Sequence, residues 1–175
     1  NPLGPPPLAA RAIQAFPSIL AAQYPSGDSY DLRRALGEKF GISPDRFLVG
    51  NGSCEVIAWV IKAFCGDGDR ILTADRTFAV YEWVATFSGL QADLVPLCDH
   101  AFDPQAFLDA LRPRTKVVFL CNPNNPTGSF WTEDVLTSFL ERVGQEVVVV
   151  VDEAYAEFVE DGRFPDTVRL MERYP

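Results

Sequence analysis

Glu146-Val147-Val148-Val149-Val150-Val151-Asp152-Glu153-Ala154-Tyr155 sets five consecutive valines directly before two acids. β-Branched residues without polar alternation read as a strand buried on both faces, the mark of a parallel sheet covered by helices. A carboxylate at the end of such a strand is costly unless it is paired, so Asp152 expects a cation or a metal beside it. A helix-capping role for Asp152 is the plainer alternative. A strand ending in Asp-Glu also resembles the magnesium-binding strand of ATPases, although the sequence holds no Gly-Lys pair for a P-loop.

Outward from this strand the same alternation recurs. Short apolar runs at Phe47–Val49, Arg70–Ala74, Ala92–Leu97 and Lys116–Cys121 read as further strands. Helical patterns fall at Ser53–Phe64, Thr77–Ser88, Pro104–Leu111 and Thr132–Val143. Val56, Ile57, Val60, Ile61 and Phe64 form one stripe, stopped by Gly66. Two earlier helices are predicted. One runs from about Leu8 to Phe16, after the proline-rich start. The other is capped by Asp28 or Ser29, lined by Leu32, Leu36 and Phe40, and ended by Gly41. The expected fold is α/β, three layers (α/β/α) around a mainly parallel sheet. Residues 1–27 form an N-terminal arm with a short helix, and 28–175 form part of a larger domain.

Composition narrows the function. A net charge of −9 and a pI near 4.5 argue against a nucleic-acid partner. No apolar stretch reaches membrane-spanning length. Cys54, Cys65, Cys98 and Cys121 lack C-x-x-C spacing and read as reduced thiols of a cytoplasmic protein. The single His100 supports neither a zinc cluster nor a Ser-His triad. The chain opens at Asn1 without an initiator Met and reads as an excerpt from a longer protein.

Three loops should lie at the carboxyl ends of the strands, where ligands bind in such sheets. Gly50-Asn51-Gly52-Ser53-Cys54-Glu55 leads straight into a helix. The N–H groups of Gly52, Ser53 and Cys54 with the helix dipole suit a phosphate, or Ser53 is simply an N-cap. Cys121-Asn122-Pro123-Asn124-Asn125-Pro126-Thr127-Gly128 forms a rigid turn that can aim an amide over the sheet edge. Asp152 supplies an acid, and Phe78 can cover a flat ring. A phosphorylated aromatic heterocycle with a basic nitrogen fits all of these.

These residues resemble the aminotransferases of pyridoxal-phosphate (PLP) fold type I, most closely the histidinol-phosphate aminotransferases. The likeness runs through Asn1-Pro2-Leu3-Gly4-Pro5, Tyr24-Pro25, Asp31-Leu32-Arg33, Gly50 to Ser53, Thr77-Phe78, Cys121 to Gly128 and Asp152 to Tyr155. It implies pyridoxal 5'-phosphate as cofactor, with Asp152 paired to the ring nitrogen and Asn125 and Tyr155 on the 3-oxygen. Gly52, Ser53 and Cys54 would hold the phosphate and Phe78 the ring face. Tyr24 would reach the phosphate in a second subunit of a homodimer, and Leu3 and Gly4 would lie beside a small amino-acid or phosphorylated substrate. No metal is implied.

The implied reaction moves an amino group between glutamate and imidazole-acetol phosphate, in histidine biosynthesis. Threonine-phosphate decarboxylase and an aromatic-amino-acid aminotransferase share the fold. Outside it stand a magnesium-nucleotide module and a non-catalytic fragment. Cys54 departs from the family's usual Asp, and Ala74-Asp75-Arg76 from its usual proline-bearing approach to Thr77. The family's cofactor lysine stands roughly thirty residues beyond the aspartate, and Lys39, Lys62 and Lys116 do not match its motif. The 175-residue chain is therefore expected to be inactive alone.

Overall fold

The computed structural model describes residues 6–175, which divide into two compact units at the Val49/Gly50 junction. Within the first unit, α1 (Pro7–Gln14) opens with Pro at its first turn, where a missing N–H costs nothing. A 3-10 turn (Ser18–Ala22) follows, then α2 (Tyr30–Phe40). Asp28 caps α2: its Oδ1 accepts the Tyr30 N–H at 3.2 Å, while Ser29 makes no capping bond. Gly41 ends the helix in the left-handed region at φ 69°.

The expected apolar face of α2 is largely uncovered, with Leu32 and Phe40 exposed. The covered face is instead the one bearing Gly37, over which the Ile42–Pro44 segment folds back. A Cβ at Gly37 would stand 2.7 Å from the Ile42 carbonyl oxygen, so only glycine fits. Arg33 fastens the same segment, donating from Nε to the Pro44 carbonyl at 3.0 Å. The predicted strand Phe47–Val49 does not form. It follows a 3-10 turn (Pro44–Arg46) as extended chain with no strand beside it among the described residues, and Leu48 is exposed.

The second unit opens with α3 (Ser53–Phe64), which has the predicted bounds. It continues through β1 (Arg70–Ala74), α4 (Val80–Phe87), β2 (Gln91–Val95), α5 (Pro104–Ala110) and β3 (Thr115–Cys121). α6 (Glu133–Leu140), β4 (Val148–Asp152) and α7 (Thr167–Arg173) complete it. The four strands are all parallel, in the order β2-β1-β3-β4. The expected α/β class therefore holds. Consecutive residues of a strand face opposite sides, and Val117, Val118, Phe119, Leu120 and Cys121 are all buried. Both faces of β3 are thus covered. α3 packs with α4, and α5 with α6.

Other expectations are corrected here. β4 is an edge strand of this sheet, so its valines are only half-buried; β1 and β3 are the strands enclosed on both faces. The stripe of α3 is buried at Ile57 and Ile61 but exposed at Phe64, the helix end. α4 begins three residues later than its pattern, because Thr77 is bonded across to the Asn-Pro loop. α7 has no counterpart in the predicted pattern. Asp166 caps it by accepting the Arg169 N–H at 3.1 Å, and Leu170 docks into the core. No helix among the described residues is long and apolar enough to cross a membrane.

Candidate active site

The loop after β3 is held from within. Asn124 is buried, and its Oδ1 accepts the Thr77 hydroxyl at 2.7 Å. Its Nδ2 donates to the Arg76 carbonyl at 3.0 Å and to Thr127 Oγ1 at 2.8 Å. Asn122, also buried, exchanges two bonds with the Trp131 backbone, at 2.7 and 3.3 Å. Both Asn-Pro peptides, 122–123 and 125–126, are cis. Asn125 has a different role. Its N–H points back to Cys121 Sγ at 3.4 Å, and its side chain makes no hydrogen bond among the described residues. The structural asparagines are thus Asn122 and Asn124, and the free amide is Asn125.

Asp152 ends β4, paired in register with Cys121 at the end of β3. Its Oδ1 accepts the Ala154 N–H at 3.1 Å and its Oδ2 accepts the Tyr81 hydroxyl at 2.7 Å. No ion pair reaches it from any described Lys or Arg. Tyr81 is completely buried, stacked on Phe119 at 4.8 Å and 8°, with Phe78 edge-on at 5.6 Å and 84°. Burial, reinforced by the Asp152 charge, pushes the Tyr81 phenol well above its ordinary range, so it remains a donor. Burial likewise raises the Cys121 thiol. Phe78 is therefore tied to Asp152 through Tyr81, which the sequence reading did not single out.

At the glycine turn, Gly52 rather than Ser53 is the N-cap of α3, and Ser53 is its first helical residue. A Cβ on Gly52 would meet nothing within 4 Å, so its φ of 79° is what selects glycine. Among the described residues, no side chain caps this end. The first-turn N–H groups, those of Ser53 and Cys54 included, lack intrahelical partners and stand at an exposed helix start. Glu55 reaches back to accept the Asn51 N–H at 2.6 Å, which fixes the turn from the other side.

A cavity of about 570 Å³ is lined by Asn125, Pro126, Phe130, Tyr155, Phe158 and neighbouring residues. It brings Asn125 and Tyr155 together. Asp152, Phe78, Gly52, Ser53 and Cys54 do not line it. Tyr24 lies in the first unit and is fully exposed. Leu3 and Gly4 fall outside the described residues. Lys39, Lys62 and Lys116 lie in α2, α3 and the start of β3.

Glu153, next to Asp152, turns away to accept the Thr167 hydroxyl of α7 at 2.7 Å. Burial raises its carboxyl above the usual range. A raised carboxyl binds its proton more tightly in the folded state. Folding stability therefore falls as pH rises from the ordinary Glu pKa through the raised one. Glu153→Gln removes this slope and keeps an acceptor for Thr167. In urea titrations at pH 4 and pH 8, the variant should gain stability relative to the native protein at the higher pH. A difference that does not change with pH would refute this.

The chain matches the family model "Aminotransferase class I and II" over residues 2–175. It is 41% identical to a histidinol-phosphate aminotransferase of Staphylococcus haemolyticus, across 99% of this chain and 49% of that protein. A histidinol-phosphate aminotransferase of Moorella thermoacetica is 39% identical, across 98% of this chain and 44% of that protein. The chain thus spans about half the length of the curated relatives it matches. Among solved structures, histidinol-phosphate aminotransferase from Sinorhizobium meliloti in complex with pyridoxal-5'-phosphate superposes with a TM-score of 0.85 at 25% identity, covering 93% of this chain and 44% of that one. L-Threonine-O-3-phosphate decarboxylase from Porphyromonas gingivalis has a TM-score of 0.71 at 24% identity, covering 84% and 42%, a likeness of fold. The match over residues 2–175 and these relatives place the chain in the class I and II aminotransferase family.

Proposed function

We propose that the protein carrying this chain uses pyridoxal 5'-phosphate to move an amino group between glutamate and imidazole-acetol phosphate. The observation that carries this reading is Asp152. It is a half-buried carboxylate at a strand end, held on both oxygens by Tyr81 and Ala154, with no cationic partner among the described residues. Such a group suits a ligand that brings its own positive nitrogen. The relatives' identity across nearly the whole chain supports the substrate.

PLP, when bound, supplies an electron sink for the substrate Cα. Asp152 would hold the proton on the ring nitrogen, because an opposite charge within a few Å favours the protonated form. The Asn125 amide and Tyr155 hydroxyl would bond the 3-oxygen. The Ser53 and Cys54 N–H groups would hold the phosphate after the Gly52 turn, where the helix start favours an anion. That contact uses backbone, so Cys54 in place of the usual Asp does not remove it. Phe78 would cover the ring face. The exposed Tyr24 hydroxyl is available to the phosphate in a second copy, as a homodimer requires. Leu3 and Gly4 would border the substrate. Exchange between small dissolved metabolites suits a cytoplasmic enzyme.

The test is turnover by the purified protein at its full encoded length, loaded with PLP. Histidinol phosphate plus 2-oxoglutarate should yield glutamate. Carbon dioxide release from threonine phosphate, or turnover of aromatic amino acids alone, would replace the assigned substrate.

A further inference from the structure

We infer that Tyr81 is a positioning residue for the cofactor, fixing Asp152 and Phe78 as one rigid unit. The inference rests on PLP binding at Asp152. Tyr81 lies 71 residues from Asp152 in the chain, yet its hydroxyl donates to Oδ2 at 2.7 Å. A buried hydroxyl needs a partner, and Asp152 is the partner it has. The bond therefore satisfies both groups. Two further contacts stop the ring from swinging away. Phe119 of β3 lies flat against it at 4.8 Å, and Phe78 closes its edge at 5.6 Å.

The consequence is directional. The Ala154 N–H holds Oδ1 while Tyr81 holds Oδ2, so the plane of the carboxylate is set before any ligand arrives. A charge-assisted bond of this kind is also shorter and stronger than a neutral one, so it holds the carboxylate firmly in that plane. The aromatic that would cover the ring packs on the same tyrosine. One side chain thus couples the in-plane partner of the ring to the partner on its face. Tyr81→Phe deletes the hydroxyl and keeps the ring, the Phe119 stack and the Phe78 contact.

The experiment measures PLP affinity, and the midpoint of the pH-dependent absorbance change of bound PLP. Both are compared in native protein, Tyr81→Phe, Asp152→Asn and the double variant, each at full encoded length. Tyr81→Phe should weaken PLP roughly tenfold, as loss of a hydrogen bond to a charged group does, and should shift the absorbance midpoint. In the Asp152→Asn background, the same change should weaken PLP by less than about threefold, because the bond it deletes no longer reaches a charge. Equal weakening in both backgrounds would make Tyr81 a packing residue and overturn the inference. So would native affinity and an unmoved midpoint in Tyr81→Phe where Asp152→Asn is impaired. If Asp152→Asn itself binds PLP with native affinity and absorbance, the placement of the cofactor fails, and Tyr81 falls with it.

Discussion

Asp152→Asn, in the protein at its full encoded length, is expected to lower kcat for the proposed transamination by roughly two to three orders of magnitude, the usual cost of removing one electrostatic partner from a reacting centre. The substitution is nearly isosteric. Its amide oxygen can keep the Ala154 N–H, and its NH2 can donate to the Tyr81 hydroxyl, which accepts as readily as it donates. The backbone of Asp152 also stays in place, since its carbonyl accepts the Asn122 N–H at 2.9 Å through the sheet. What disappears is the negative charge. A neutral amide does not hold a proton on the ring nitrogen, so the ring would draw fewer electrons from the substrate. Rate and fold separate cleanly here: far-UV circular dichroism and the urea midpoint should remain native while kcat falls. A variant within threefold of native kcat would remove Asp152 from the proposed chemistry.

The contrast between Asp152 and Tyr81 shows how far the sequence could be read. The strand-to-helix alternation was legible because it rests on local periodicity. Ser53–Phe64 has its predicted bounds, with a glycine turn before it and Gly66 after it. Asp152 was legible too, as a charge following apolar residues. Its partner was not, because a bond across 71 residues leaves no local pattern, and Tyr81 looks like an ordinary residue of an amphipathic helix. Phe47–Val49 shows the reverse failure. Its apolar run is real, but a strand exists only beside another strand, and none adjoins it among the described residues. The half-burial of β4 has the same origin, since nothing in five valines says whether a strand is central or at an edge. Thr77 was placed in a helix by its neighbours, whereas a single hydrogen bond to Asn124 draws it out.

Asn124 and Asn125 are adjacent, chemically identical and expected to respond oppositely. Asn124→Ala should destabilise the protein by about 2–4 kcal/mol, since it removes a buried amide and strips partners from three part-buried polar groups on two segments at once. Thr77 loses its acceptor, and the Arg76 carbonyl and Thr127 lose a donor. Asn124→Asp is the sharper probe. Its Oδ1 can still accept from Thr77, but its second oxygen would face the Arg76 carbonyl with a lone pair instead of an N–H. At neutral pH that puts an unpaired carboxylate in a buried site, so the loss should at least equal that of the alanine variant. Acidification restores one donor by protonating the carboxyl, and the gap to native should narrow as pH falls. Asn125→Ala should instead stay within about 0.5 kcal/mol of native, because its side chain has no bond to lose among the described residues. Its cost should be in PLP affinity and kcat. Urea midpoints at pH 5 and 7, with slopes compared to confirm that the transition is the same, separate these outcomes. A loss below 1 kcal/mol for Asn124→Ala would mean that the loop is held by its prolines and backbone alone. The orientation of Asn125 would then not depend on its neighbour.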